Sequence, residues 1–211
     1  MSDYLSEFLV ALSAVFFVVD PPGVVPIFLA MTRGDSPEKI RSMAKRACLV
    51  GGLLLVFFAL FGAFLFQVLG VTMGAFRIAG GILLLITALD MIRAKPAATR
   101  TSPEETAEGL AKEDIALVPL AIPLLAGPGA IATVMVLMAR GKTPLHAVPV
   151  LIAIALTFVG SYLLLRGASV VQKVLGASGL LVLERVMGLI LAAISVQFVA
   201  DGMKDLVQAA I

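Results

Sequence analysis

Six stretches of mainly apolar residues follow one another along this 211-residue chain, each near the roughly 20 residues that a helix needs to cross the hydrocarbon core of a bilayer. They cover residues 5–31, 47–69, 75–92, 115–139, 148–165 and 181–203. A soluble domain of similar size is about 45–50% apolar and about 25% charged. Here 60% of residues are hydrophobic, 14% are charged and the mean hydropathy is +1.07. In hydrocarbon every backbone amide and carbonyl must be satisfied within the protein, and apolar runs of this length achieve that as helices. The expected fold is an all-α membrane protein with six transmembrane helices.

The same composition removes several functions. The net charge is +2, from 16 Lys+Arg against 14 Asp+Glu, and the basic residues lie between apolar runs rather than on one patch. That is not the footprint of a nucleic-acid-binding protein. The single cysteine, Cys48, rules out an intrachain disulfide, and with the single histidine, His146, it rules out a Cys/His zinc cluster. No Walker-type phosphate loop, HExxH zinc motif or GxSxG elbow is present. No nucleophile in the apolar runs has a base beside it, so the sequence points to neither an enzyme nor a resident cofactor or metal. The lipid bilayer is the expected partner, and nothing in the sequence sets an oligomeric state. The first run follows Asp3 and Glu7 and exceeds a signal-peptide core, so it is expected to remain as a span.

Six crossings put both termini on one side. The first connection carries Arg33, Lys39, Arg41, Lys45 and Arg46, the third Arg93, Lys95, Arg100 and Lys112, and the fifth Lys173 with Arg166 at its edge. The opposite face has Arg140, Lys142 and Lys204, so the positive-inside rule places both termini on the non-cytoplasmic side. Ser36-Pro37 and Ser102-Pro103 each set a hydroxyl at an N-cap before a first-turn proline. Each is expected to start a short cytoplasmic helix with a solvated charged face.

Spans one and four are interrupted by the same kind of residue. Asp20-Pro21-Pro22-Gly23 divides the first, with Pro26 following; Pro119 and Pro123 and then Gly127-Pro128-Gly129 divide the fourth. Proline lacks the amide hydrogen and clashes with the preceding turn, and the residue before it is pushed out of helical geometry. Broken helix is tolerated at membrane depth only where protein or a watery cavity surrounds it, so both breaks are expected to face inward.

The two broken spans also sit at matching places. An offset of 106 residues lays Pro22-Gly23 on Pro128-Gly129, and an offset of 108 lays Arg77-Ile78-Ala79-Gly80 on Arg185-Val186-Met187-Gly188. The chain therefore reads as residues 1–93, a first three-helix repeat, 94–114, a cytoplasmic linker, and 115–211, a second three-helix repeat. An odd number of crossings per copy makes the repeats inverted, with helices 1 and 4 broken at mid-membrane.

A helix starts with unpaired amides equivalent to roughly half a positive charge. Two half-helices starting near the midplane are expected to converge on a carboxylate, while the carbonyl ends before them suit an ammonium group or a cation. A zwitterion satisfies both. Asp20 has three readings: it caps the second half-helix, it binds the amine or cation of a solute, or it carries a coupling proton. Arg77 and Arg185 either snorkel to headgroups or take part in gating. Thr87, Ser195 and Gln197 lie deeper in spans three and six, where polar groups cross-link helices or line a path. His146 reads as an interfacial residue.

The residues Asp20-Pro21-Pro22-Gly23-Val24-Val25-Pro26, the run from Phe76-Arg77 to Leu85, the run Pro119 to Gly129 and Arg185-Val186-Met187-Gly188-Leu189-Ile190 together resemble the MarC family of six-span bacterial inner-membrane proteins over nearly the whole chain. The resemblance implies kinship with neutral amino acid transporters and small substrates such as glycine, alanine or serine, moved with a proton or sodium ion. It places the family's breaks on Pro21, Pro22, Gly23 and on Gly127, Pro128, Gly129, and its paired arginines on Arg77 and Arg185. Many members of the family it resembles have asparagine where Val24 stands, which implies a different selectivity if that position meets substrate.

The expected function is thus a secondary transporter of a small zwitterionic solute. Asp20, Pro21, Pro22, Gly23, Val24, Gly127, Pro128, Gly129, Thr87 and Ser195 would bind it, and Asp20, Arg77 and Arg185 would couple or gate its movement. Two alternatives stand beside it: a passive channel or facilitator, whose flux never accumulates solute against a gradient, and a non-transporting membrane scaffold that recruits a partner through its charged connections.

Overall fold

The computed structural model describes residues 2–93, 116–139 and 144–210. Among these residues every regular element is helical. Helix α1 (Ser2–Val19) is followed after one residue by α2 (Pro21–Met31), and α3 (Pro37–Leu69) and α4 (Met73–Ile92) complete the first half. The second half contains α5 (Ala116–Leu125), α6 (Pro128–Ala139), a single 3₁₀ turn at Pro144–His146, α7 (Ala147–Arg166) and α8 (Ala168–Ala210).

Among the described residues five helices are long and apolar enough to cross a membrane: Tyr4–Met31, Pro37–Leu69, Met73–Ile92, Ala147–Arg166 and Ser178–Ala209. The fourth expected span is divided between α5 and α6, of 10 and 12 residues. At 1.5 Å per residue α6 is about 18 Å long, little more than half of a hydrocarbon core of about 30 Å. Proline sets the shape of α5. Val118 (φ −128°, ψ 124°) and Ile122 (φ −130°, ψ 123°) are extended, and each directly precedes a proline, where the ring excludes helical geometry.

Two expectations need correction. Ser36 does cap a helix, accepting the Lys39 amide at 3.3 Å, but that helix is α3 itself, which runs unbroken from Pro37 to Leu69. A good cap followed by strong helix formers gives no reason to stop before the membrane. The corresponding motif at Ser102-Pro103 lies outside the described residues. The connection near Lys173 is also helical, bent only where Gly176 adopts φ 64°, ψ 177°.

Packing centres on α4 against α8, which run antiparallel with glycines at their contacts. A Cβ on Gly202 would lie 2.7 Å from the Gly74 carbonyl, one on Gly81 2.8 Å from the Ser195 carbonyl, and one on Gly188 3.0 Å from the Ala88 carbonyl. Small residues let the backbones touch, which is how membrane helices gain dispersion energy without a hydrophobic drive. Helix α7 seats Phe158 on Gly51 and Gly52 of α3 and also packs against α1 and α2. Large apolar side chains such as Leu53, Phe64, Val159, Leu163, Leu189 and Val196 face outward, as a lipid-facing surface requires.

Candidate functional site

The break in the first span is one residue long. Asp20 takes a left-handed conformation (φ 51°, ψ 59°) and is the only non-glycine residue with positive φ among the described residues. Aspartate tolerates that region better than most residues because its short side chain bonds locally. Here the carboxylate accepts the Gly23 amide at 3.2 Å, and the residue is 1% exposed. Of the three readings of Asp20, capping is realised. Glycine is required three residues on, because a Cβ there would fall against Asp20 Oδ2 and 2.8 Å from Cγ.

The second break places the start of α6 beside the end of α1 and the middle of α4. A Cβ on Gly129 would lie 2.6 Å from Leu84 Cδ2 and 3.8 Å from Val18 Cγ1, and Val18 is two residues from Asp20. A cavity of about 30 Å³ sits at this junction, lined by Val18, by Leu83, Leu84 and Thr87 of α4, and by Leu124 and Gly127–Ala130. That is room for about two waters. The expected residues Thr87, Gly127, Pro128 and Gly129 are brought together here. Asp20, Pro21, Pro22, Gly23, Val24 and Ser195 do not line the cavity.

The two half-helices differ in what they offer a solute, contrary to the expectation that both tips converge on an anion. Pro21 and Pro22 have no amide hydrogen, and the Gly23 amide is taken by Asp20. Helix α2 thus begins with two donors missing, the third used and a carboxylate at its head. Helix α6 begins with only one proline; Ile131 donates to the Gly127 carbonyl at 3.1 Å, and the Gly129 and Ala130 amides precede the first intrahelical acceptor. The helix start with amides left over belongs to α6 and the acidic group to the α1–α2 junction.

Thr87 donates to the Leu83 carbonyl at 3.0 Å, Ser195 to the Ala192 carbonyl at 2.6 Å, and Gln197 to Asp201 at 2.7 Å. These three bonds stay within their own helices rather than crossing to a neighbour, and Ser195 is fully buried between α8 and the rest of the bundle. Arg77 forms a 2.6 Å ion pair with Asp205 that joins α4 to α8, while Arg185 is exposed. His146 is not simply interfacial: Nδ1 lies 3.2 Å from Glu7 Oε2 and Nε2 lies 3.1 Å from the Leu137 carbonyl. Val18, Leu83, Leu84, Leu124 and Ala130 line the cavity although sequence reasoning does not single them out, since an apolar residue in an apolar span carries no distinguishing signal. Leu83 and Leu84 offer one clue: helical spacing puts them on the same face as Thr87.

Comparison with known proteins agrees with the architecture. The model of the MarC family, described as integral membrane proteins, matches residues 5–207. The chain is 40% identical to the UPF0056 membrane protein MJ1677 of Methanocaldococcus jannaschii, over 95% of this chain and 97% of that one. It is 34% identical to the UPF0056 membrane protein YvbG of Bacillus subtilis, over 92% of each chain. It is also 34% identical to the UPF0056 membrane protein YhcE of Escherichia coli, over 90% of this chain and 89% of the relative. No solved structure matches this chain.

Proposed function

This chain belongs to the MarC family of integral membrane proteins, and from that premise we propose that it is a multi-pass inner-membrane secondary transporter of a small neutral, zwitterionic solute such as glycine, alanine or serine. The observation that carries the reading is the junction of the two breaks. The open amide end of α6 and the Thr87 hydroxyl border a buried cavity, and the Asp20 carboxylate heads α2 just beyond Val18. Two opposite partial charges at one buried junction suit a carboxylate and an ammonium group on the same small molecule.

The reading includes six crossings in two inverted repeats, 1–93 and 115–211, joined by a cytoplasmic linker, with both termini outside the cytoplasm. The antiparallel α4–α8 pair and the reversed course of α6 along α1 favour it. Asp20, beyond capping, is then placed to carry a coupling proton or to meet a sodium ion, and the Arg77–Asp205 pair to hold one end of the α4–α8 interface closed. A membrane protein that only recruits partners has no use for a polar break sealed in its centre, and breaks of this kind cost several kcal/mol unless satisfied.

The test is uptake of labelled glycine, alanine and serine by purified protein in liposomes, under proton and sodium gradients. Accumulation above the external concentration is expected, with Asp20→Asn altering coupling or rate. Flux that never exceeds equilibration would make the protein a passive facilitator. No flux of any small amino acid under either gradient would end the proposal.

A further inference from the structure

A second cavity, of about 220 Å³, lies at the N-terminal end of α1, bounded by Ser6, Glu7, Val10, Leu137, His146 and Pro149 among others. It is several times larger than the central one and carries the Glu7–His146 pair on its wall. Both cavities lie on the same seam. Along α1, Ala11 lines the larger cavity and Val18 the central one; along α6, Leu137 lines the larger and Ala130 the central. Each separation is seven residues, about 10 Å of helix, and the two helices run in opposite directions between them.

We propose that the cavity at Glu7 and His146 is the vestibule in which the zwitterionic solute is first held, and that the α1–α6 seam is the closed passage from it to the central cavity. The inference rests on the transporter reading. What blocks the passage is small: Ala14 and Val15 on α1, 8% and 1% exposed, and Thr133 and Val134 on α6, both 0% exposed. A modest separation of two helices opens such a seam, whereas a plug of aromatic rings would need them to swing away.

The vestibule also holds the seam shut at its mouth. His146 touches Glu7 of α1 with one ring nitrogen and the Leu137 carbonyl, in the last turns of α6, with the other. With one ring nitrogen within hydrogen-bond distance of each, the imidazole bridges the two helices. A zwitterion offers each member of the Glu7–His146 pair a partner, its ammonium to the carboxylate and its carboxylate to an imidazole N–H. Entry of the solute therefore exchanges the contact between the helices for contacts to the solute and releases the mouth.

The experiment uses the full chain with Cys48→Ala, purified in detergent and in liposomes. Cysteine is placed singly at Val10 on the vestibule wall, at Ala14 and Thr133 in the seam, and at the lipid-facing Leu53, and a small water-soluble methanethiosulfonate is added. Val10→Cys should react readily and Leu53→Cys should not. Ala14→Cys and Thr133→Cys should react slowly at rest, change rate when alanine is present, and stop uptake once modified. Both seam substitutions nearly preserve volume; Val15→Cys and Val134→Cys provide a second pair if either fails to fold. Glu7→Gln should raise the half-saturating solute concentration about tenfold, about 1.4 kcal/mol of binding, with the maximal rate nearly unchanged. Seam cysteines that never react while Val10→Cys does, or whose modification leaves uptake intact, overturn the passage. Labelling of the seam by a protein that moves no amino acid supports the passage and removes the transporter reading alone.

Discussion

Replacing Gly23 with alanine tests the cap on which the α1–α2 junction depends. Gly23 has ordinary helical φ, so the substitution itself should be favourable: removing glycine from a helix interior gains about 1 kcal/mol. The added methyl, however, would occupy the seat of the Asp20 carboxylate, falling against Oδ2 and 2.8 Å from Cγ. The neighbour that must give is the acidic side chain that closes the helix end, at a position 1% exposed. Loss of an N-cap costs about 1 kcal/mol, and stripping a donor from a carboxylate in a site closed to water costs about 1–3 kcal/mol more. Against the helical gain, Gly23→Ala should destabilise the protein by about 2 kcal/mol.

A double-mutant cycle isolates that cause. Asp20→Gly keeps a residue comfortable at φ 51° and only slightly poorer as an N-cap. In that background the clash partner is gone, and Gly23→Ala should stabilise by about 1 kcal/mol, a coupling of about 3 kcal/mol between the two positions. Unfolding in mixed micelles with rising dodecyl sulfate content, followed by far-ultraviolet circular dichroism, measures all four corners. Equal destabilisation in both backgrounds would refute the steric argument. A harmless Gly23→Ala in the otherwise native chain would show that the carboxylate does not sit on Gly23 at all.

Other substitutions separate packing from solute chemistry. Gly81→Ala should cost about 1–3 kcal/mol by forcing α8 away from α4, while Gly160→Ala, where a Cβ meets nothing within 4 Å, should gain up to about 1 kcal/mol; the same unfolding assay ranks them. Asp205→Ala and Arg77→Ala should show a coupling of about 1 kcal/mol that weakens as salt is raised, since Asp205 is partly exposed. Thr87→Val removes the hydroxyl that donates to the Leu83 carbonyl and should cost about 1 kcal/mol. It should also reduce the rise in melting temperature that alanine confers on the unmodified protein.

What can be read from sequence is local. Proline dictates the geometry of the residue before it, so the bends at Val118 and Ile122 and the interruption ahead of Pro21 follow from the chain alone. The offset that pairs Gly80 with Gly188 gives only half of the packing, since Gly188 meets α4 whereas Gly80 meets Ala132 of α6, and the α4–α8 register rests on Gly74, Gly81 and Gly202 as well. The role of Asp20 is not decidable from the chain, since capping, amine binding and proton carriage need the same residue and differ only in burial and neighbours. The asymmetry of the two tips is written in the residues but hidden by the symmetry of the repeat: Pro21-Pro22 deletes two donors where Pro128-Gly129 deletes one. The Glu7–His146 pair spans 139 positions, and no local rule joins residues that far apart.

The size of the central cavity fixes what the protein must do to work as proposed. About 30 Å³ holds two waters, and even glycine is larger, so the site is closed. The space to open it lies next door. An apolar cleft of about 330 Å³ between α3, α4 and the α5–α6 bend shares Leu83 and Pro128 with the cavity, so those two residues form much of the wall between them. Pro128 stands at the hinge of a span whose α5 half already departs from helical geometry at two residues. Helix α6 is only 12 residues long, and displacing it breaks no continuous hydrogen-bonded ladder at that hinge. Helix α2 joins α1 through the single residue Asp20, whose amide donates to the Phe16 carbonyl at 2.9 Å and whose carboxylate accepts from Gly23. In the proposed transport cycle α6 is the moving part. A Cβ on Gly80 of α4 would lie 2.7 Å from the Ala132 Cβ of α6, closer than side chains tolerate, so Gly80→Ala should push α6 off α4 and alter solute binding, while a cross-link between α2 and α8 should leave binding in place.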